Sequence, residues 1–233
     1  MLLLPGQVTA IIALHKLFDT PCNNSLEIIS VSDVLTTTID LMRHGEPVGG
    51  RKYRGQIDDP LSEKGWAQMR EAVGDHSPWD VIISSPLSRC FDFARELGQR
   101  TGIDVKIESR LMEIGFGEWE GRTASELQQE DPGQVDRFLS DPLKNTPPGA
   151  ETLAEFETRV IGAWNDVLQQ HAGQHVLLVG HAGMMRMIIR HVLDMPLERM
   201  FHIQVANAAI TRIRSEGVGE KTFARLLFHD GRL

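Results

Sequence analysis

Two histidines and two arginines of this chain stand directly after apolar, strand-like runs. Arg43 and His44 follow TIDLM, Arg89 follows DVIISSPLS, and His181 follows HVLLVG. Guanidinium groups bind a tetrahedral oxyanion through paired, charge-assisted hydrogen bonds, without a metal. A neutral imidazole can attack phosphorus and form a covalent phosphohistidine, and a second, protonated imidazole can donate to the phosphate oxygens. Together these four side chains indicate phosphoryl transfer.

Phosphoryl transfer to water also needs a proton donor for the leaving alkoxide, and Glu113 is the candidate. This carboxylate lies in the glycine-rich segment LMEIGFGEWEG, residues 111–121, which is predicted to be a loop. A carboxylic acid there can protonate the ester oxygen and then activate the water that hydrolyses the phosphohistidine. Each signal is weak alone, because a single histidine at a strand end is more often structural. Their coincidence carries the prediction.

The elements that must position these side chains alternate between strand and helix patterns. The predicted strands are 38–43, 80–85, 104–108 and 175–180, and the predicted helices are 62–73, 86–101, 151–171 and one from 181 onward. Two late strand patterns, AAITRIRSE and KTFARLLFH, predict a hairpin. Such alternation is typical of an α/β fold with a mostly parallel sheet, whose ligand site lies beyond the carboxyl ends of the strands. The candidate residues should therefore meet at one edge of the sheet.

Residues 1–36 differ from the rest, because they show turn residues in TPCNNS and no clear hydrophobic period. Three interpretations stay open: a loosely ordered arm, an extra helix around residues 8–18, or a start-site artefact. The first and third are favoured because a complete strand-first domain follows. Residues 37–233 are predicted to form that domain, with the proline-rich segment 122–150 as a short, lid-like insertion of small helices.

Composition limits the classes of partner. The formal net charge of -8 argues against a general nucleic-acid binder, which usually has a basic surface. No apolar run reaches the length of about 18 residues that a transmembrane helix needs. The two cysteines, Cys22 and Cys90, fit a reducing cytoplasm. We expect a small phosphorylated metabolite as the partner, and neither nucleic acid nor membrane, with a homodimer left open.

The same motifs, taken in order, resemble the histidine phosphatase superfamily, also called phosphoglycerate-mutase-like. The matching segments are RHG, SSPLSR, EIGFGEWEG, PPGAET and GHAG, and the resemblance covers residues 38 to about 213. It implies a three-layer α/β/α sandwich that needs no metal or organic cofactor for hydrolysis. The site roles that it implies are nucleophile for His44, phosphate ligands for Arg43 and Arg89, second phosphate-pocket histidine for His181, and proton donor for Glu113.

One segment departs from the family pattern. Many members read RHGETxWN, in which the asparagine contacts phosphate, whereas this chain reads RHGEPVGG, with Pro47 for threonine and Gly50 at the asparagine position. Arg54, just before Gly55, occupies the place where many relatives have a polar residue that contacts phosphate. We therefore predict that Arg54 is a third arginine on the phosphate. The alternative is a solvated loop arginine.

The resemblance favours hydrolysis of a phosphomonoester. Mutases of the superfamily usually read YGxLxGLNK after the acidic residue, whereas this chain reads FGEWEG and has a short insertion. The segments RGQIDDPLSEKGWAQM and EIGFGEWEG resemble the α-ribazole phosphatases of cobalamin synthesis, so α-ribazole 5'-phosphate is the specific substrate expected. The open alternatives are a broad-specificity small-molecule phosphatase, a phosphoglycerate mutase and a catalytically silent phosphate-binding module.

Overall fold

The computed structural model describes residues 35–217 and 223–231. The predictions for residues 1–34, and for the turn between the two last strands, lie outside the described residues. The strands are β1 Thr36–Arg43, β2 Val81–Ser84, β3 Val105–Ile107, β4 His175–Gly180, β5 Ile210–Glu216 and β6 Phe223–Gly231. They form one mixed sheet in the order β3-β2-β4-β1-β5-β6.

Most of the sheet is parallel, as the alternating pattern predicts. β1 pairs in parallel with β4, β4 with β2, and β2 with β3. β5 runs antiparallel to both of its neighbours, β1 and β6, so the two late strand patterns do pair as a hairpin requires. β2 and β4 read as nearly continuous apolar runs because helices cover both faces of the parallel part.

The helices are α1 Glu63–Val73, α2 Ser88–Thr101, α3 Ala124–Glu130, α4 Gln134–Ser140, α5 Leu153–Gln170 and α6 Ala182–Val192. Ser62 caps α1, because its side chain accepts the Gly65 N–H, and Gly102 ends α2 in the left-handed region. α2 begins at Ser88 rather than at Pro86, the residue at which the sequence pattern starts the helix.

Alternate side chains of the strands bury against different helices, which produces three layers. Ile39 and Leu41 of β1 belong to the apolar core that includes α5 and α6, whereas Met42 belongs to the core that includes α1 and α2. Successive side chains of a strand point to opposite faces of the sheet. The three-layer α/β/α sandwich is therefore confirmed.

The segment 122–150 contains the two short helices α3 and α4, as expected for an insertion of small helices. Their apolar side chains, among them Leu127 and Phe138, form a small core with Trp119 that is separate from the cores on the two sheet faces. Tyr53 and Phe201 pack against it from outside the insertion. In the part of the chain that the structure describes, we find no helix with the length and apolar character that crossing a bilayer needs.

Candidate active site

Three neighbouring strands deliver the predicted site residues to one edge of the sheet. β4 lies between β1 and β2, so the segments that follow all three strands are adjacent. Backbone bonds continue past the strand ends, from His44 N–H to Gly180 O at 2.9 Å and from Ser85 N–H to Val179 O at 3.0 Å. The rigid sheet, rather than a mobile loop, therefore sets the position of His44.

The imidazole of His44 is 6% exposed and is held in one tautomer. Its Nδ1 lies 2.7 Å from the carbonyl oxygen of Gly45. Because a carbonyl only accepts, Nδ1 carries the hydrogen and Nε2 keeps its lone pair. Burial, followed by the nearby charges of Arg43 and Arg89, lowers the pKa of His44 well below its usual value. The ring is therefore neutral and able to act as a nucleophile.

The glycine after this histidine is required by close packing of two backbones. A Cβ at Gly45 would lie 2.1 Å from the carbonyl oxygen of Gly65, at the start of α1. Gly65 has the reciprocal restriction, because a Cβ there would lie 2.1 Å from the carbonyl oxygen of Glu46. The short R-H-G motif thus depends on a second glycine 20 residues along the chain, in SEKG.

Arg43 and Arg89 line a cavity of about 560 Å³ at this edge, together with His44. Carbonyl oxygens fix both guanidinium groups: Arg43 Nη1 donates to Val205 O at 2.6 Å, and the two Nη atoms of Arg89 donate to carbonyls of the 55–57 loop at 2.7 and 2.8 Å. The Nε–H groups of both arginines are buried with no hydrogen-bond partner among the described residues. Burial lowers the pKa of Arg43 to about 10, so it stays charged at neutral pH.

Arg54 also lines the cavity, at the side of the loop that departs from the family pattern. Its Nε donates to Asp59 at 3.1 Å, and its Nη2 donates to the carbonyls of Val48 and Gly50. No described residue bonds to Nη1. Arg54 thus lines the same cavity as Arg89. It also has a structural role, because its hydrogen bonds hold the loop that contains Gly50. Contact with phosphate stays a prediction.

Glu113 lines the cavity and is held by two backbone N–H groups. Its Oε1 accepts from Ile114 at 3.0 Å, and its Oε2 accepts from Gly183, in the first turn of α6, at 3.1 Å. A helix N-terminus attracts a carboxylate, because its free N–H groups and dipole are positive. Residue 183 must be glycine here, since a Cβ would lie 2.1 Å from Oε1.

His181 lies beside His44 but does not line the cavity. Its ring is fully buried, and the two ring centroids are 5.2 Å apart in an edge-on arrangement. Its Nε2 is 2.8 Å from Ser85 Oγ and 3.5 Å from Cys90 Sγ. Burial, and then the charge of Arg89, lowers the pKa of His181 well below its usual value. The structure therefore holds a neutral imidazole where the sequence analysis considers a protonated donor.

Sequence reasoning missed several residues that line the same cavity. Arg186 follows Gly183 by three residues in α6, and helical spacing alone would have put both on one face. Arg51 and Lys52 precede the predicted Arg54. The aromatic side chains are Tyr53, Phe116, Phe138 and Phe201, which come from four separate segments and carry no local signal.

Comparison with known proteins agrees with this geometry. The profile of the histidine phosphatase superfamily (branch 1) matches residues 39–226. The chain belongs to the histidine phosphatase superfamily. Phosphoserine phosphatase 1 of Hydrogenobacter thermophilus is 33% identical over 184 residues, which cover 76% of this chain and 85% of that protein. A bifunctional protein of Mycobacterium tuberculosis is 31% identical over 188 residues. That match covers 78% of this chain but 51% of the relative, so the chain spans about half the length of such relatives.

Solved structures of histidine phosphatases share the fold. A mycobacterial glucosyl-3-phosphoglycerate phosphatase superposes with a TM-score of 0.75 and 26% identity, over 84% of this chain and 99% of that chain. The α-ribazole phosphatase from Shigella flexneri superposes with a TM-score of 0.69 and 30% identity, over 84% of this chain and 96% of that chain. The phosphatases in these comparisons have different substrates by name, so they do not select one for this histidine phosphatase.

Proposed function

We propose that this domain hydrolyses phosphomonoesters of small metabolites through a phosphohistidine on His44. The observation that carries the proposal is the state of His44 in the cavity. Its Nδ1 hydrogen is donated to Gly45 O, the ring is neutral, and five arginines line the same cavity. A neutral imidazole among fixed cations is suited to attack phosphorus while the cations bind the charge on the phosphate oxygens.

The reaction divides into two displacements. In the first, the lone pair of His44 Nε2 forms a bond to phosphorus, the ester P–O bond breaks, and the leaving oxygen takes a proton from Glu113. In the second, water attacks phosphorus as its proton passes to Glu113, the P–N bond breaks, and inorganic phosphate leaves. Arg43, Arg89 and Arg54 bind the phosphate oxygens in both steps. His181 packs edge-on against the ring of His44 and holds it in position.

The specific substrate implied by the sequence resemblance is α-ribazole 5'-phosphate, with a cytoplasmic place in cobalamin synthesis. Aromatic side chains on one side of the cavity, including Phe116, Phe138 and Phe201, support a leaving group with a flat apolar part. A phosphate-release panel that compares α-ribazole 5'-phosphate with sugar phosphates and phosphoglycerates tests this substrate. Comparable turnover of the whole panel would instead indicate broad specificity, and neither nucleic acid nor membrane is part of the proposal.

The proposed intermediate is tested by labelling that is stable in alkali and lost in acid. Enzyme mixed briefly with a ³²P-phosphomonoester and quenched in alkali should carry label, since phosphohistidine survives alkali. His44→Ala should carry no label and lose phosphatase activity by a factor of about 10³ or more. His76→Ala, which removes an exposed histidine, is the matched control and should behave as wild type.

Three outcomes would contradict the proposal. Activity of His44→Ala close to that of wild type would remove His44 as the nucleophile. Rapid interconversion of phosphoglycerates with a bisphosphoglycerate primer, without release of phosphate, would show a mutase. A protein that binds phosphate but neither labels nor turns over any ester would be the silent phosphate-binding module.

A further inference from the structure

The cavity carries more positive charge than one phosphate group requires. Among the described residues that line it, Glu113 is the one carboxylate. The cationic residues of the lining are Arg43, Arg51, Lys52, Arg54, Arg89 and Arg186. A phosphomonoester brings at most two negative charges. The surplus indicates that the substrate brings a further negative charge into the cavity.

Most of these cations already have a partner or a proposed one. Arg43, Arg54 and Arg89 are assigned to the transferred phosphate. Lys52 forms an ion pair with Asp59 at 2.8 Å. Arg51 is exposed, so solvent screens its charge. Arg186 is the cation of the lining that is substantially buried and forms no ion pair among the described residues. The charge of Glu113 acts favourably on it, but Glu113 is the proposed general acid.

The guanidinium of Arg186 is fixed in place by the protein. Its Nε donates to the carbonyl of Ile203 at 2.7 Å, and its central carbon lies 5.9 Å from the ring centre of Phe201. Within residues 35–217 and 223–231, no carboxylate forms an ion pair with it. Burial lowers the pKa of Arg186, which reports the cost of removing this cation from water. A bound anion would offset that cost.

Arg186 lines the cavity close to Glu113. It shares α6 with Gly183, whose N–H holds the carboxylate of Glu113. Glu113 is the group proposed to protonate the ester oxygen, so whatever is attached to that oxygen extends from Glu113. Residues three apart on a helix are neighbours on its surface, so Arg186 lies near Gly183 and the carboxylate that Gly183 holds, and the charge of Glu113 acts on its guanidinium.

We propose that Arg186 binds a carboxylate on the leaving group, and so selects phosphomonoesters that carry a second anionic group. The inference rests on the proposed phosphatase function. With Nε committed to Ile203, the two Nη atoms remain as a planar pair that matches the two oxygens of a carboxylate. The inference therefore favours a phosphorylated hydroxy or amino acid over α-ribazole 5'-phosphate, which has no carboxylate. Preferred turnover of α-ribazole 5'-phosphate in the phosphate-release panel would count against the role of Arg186.

Matched substrate pairs test the role of Arg186. O-Phosphoserine differs from O-phosphoethanolamine by one carboxylate, and 3-phosphoglycerate differs from glycerol 3-phosphate by a carboxylate in place of a hydroxymethyl group. Wild type should prefer the carboxylate member of at least one pair by about 10- to 100-fold in kcat/KM, as expected for a hydrogen-bonded charge pair. Arg186→Gln should remove that preference and change turnover of the other member by less than about threefold.

Three further measurements separate substrate selection from other effects. Inhibition by inorganic phosphate should be the same in wild type and Arg186→Gln, because the transferred phosphate binds elsewhere. Arg186→Lys keeps the charge but loses the planar pair, and should retain part of the preference. Arg95→Gln, which removes an exposed arginine of α2 that pairs with Asp92, is the matched control and should keep the full preference.

The results that would overturn the inference are distinct from failure of the phosphatase proposal. Absence of a carboxylate preference in both pairs would overturn the inference alone. An equal loss on both members of a pair in Arg186→Gln, with weaker inhibition by phosphate, would do the same and would assign Arg186 to the transferred phosphate. No hydrolysis of any ester, p-nitrophenyl phosphate included, would overturn both.

Discussion

A single backbone carbonyl determines which nitrogen of His44 can react. Gly45 O holds the hydrogen of Nδ1, and burial together with two arginines keeps the ring unprotonated. The arginines that lower the pKa of the imidazole are the same ones that would bind the phosphate. Charge that attracts the substrate therefore also keeps the nucleophile in its reactive form.

Glu113 is predicted to act as the general acid, and its variant should discriminate between leaving groups. Glu113→Gln should lower kcat for an alkyl phosphate by about 10²-fold or more, because the alkoxide then leaves without a proton. p-Nitrophenyl phosphate, whose leaving group barely needs protonation, should lose much less. Glu118→Gln, in the same loop but exposed, is the control and should affect neither substrate. Equal losses on both esters would argue against the role.

Arg54 is predicted to contribute to phosphate binding despite its contacts with the loop. Arg54→Ala should raise KM and the inhibition constant for inorganic phosphate by about 10- to 100-fold, the range expected for loss of a hydrogen bond to a charged group. Asp59→Asn removes the ion pair at Arg54 Nε but leaves the guanidinium, so it serves as the control. If both variants raise the two constants equally, loop anchoring rather than phosphate contact is the role of Arg54.

At the scale of elements, α6 connects the residues around the leaving group. Its first turn supplies the N–H that holds Glu113, and its second turn supplies Arg186. The fully buried His181 precedes it directly. A small shift of this helix would therefore disturb the proposed acid and the proposed carboxylate contact together.

Gly183→Ala should displace Glu113 without unfolding the domain. The added methyl would lie 2.1 Å from Oε1, so the carboxylate must move away from the helix N-terminus. As for Glu113→Gln, we expect kcat to fall more for an alkyl phosphate than for p-nitrophenyl phosphate. Gly162→Ala, within α5, is the control, because its added Cβ meets Arg110 at an ordinary 3.7 Å. Steady-state kinetics with both esters and a thermal melt would show whether Gly183→Ala loses stability instead.

At the scale of the whole molecule, one buried carboxylate joins three elements of the sheet. Asp40, in the middle of β1, has no exposed surface and accepts two hydrogen bonds from Arg212 of β5 at 2.7 and 2.9 Å. His175 of β4 and Trp79 each lie 2.9 Å from its Oδ2. Burial alone would raise the pKa of Asp40, but these hydrogen bonds outweigh it and the pKa is lowered.

Asp40→Asn should destabilise the domain by about 1–3 kcal/mol, because a buried amide replaces the carboxylate that accepts the hydrogen bonds from the partly exposed Arg212. Asp166→Asn is the control: its ion pair with Arg110 is exposed, and we expect a loss of about 1 kcal/mol or less. Because the pKa of Asp40 is lowered in the folded state, the ionised carboxylate stabilises the fold fully above its ordinary pKa of 3.8. That stabilisation is lost as the pH falls through the lower pKa of the folded protein. Urea unfolding of wild type and both variants from about pH 7 to about pH 3 measures this. The difference in unfolding free energy between wild type and Asp40→Asn should become smaller as the pH falls.

The site residues that directly follow strands could be predicted from the sequence. The positions of His44 and Arg89 are predictable, because parallel strands end at one edge of a sheet. The neutral, enclosed position of His181 was not predictable, since it depends on Ser85 and on burial by distant segments. The role of Arg186 was not predictable either, because its contacts with Phe201 and Ile203 form only in the folded chain.

β1 is hydrogen-bonded on both sides, to β4 and to β5, and it ends one residue before His44. Backbone amides in such a central strand exchange with solvent only when the whole domain opens, whereas an edge strand opens locally. Fraying of the edge strand β6 therefore leaves His44 in place. Loss of turnover on heating should coincide with cooperative unfolding of the entire sheet, so activity itself can report the fraction of folded molecules.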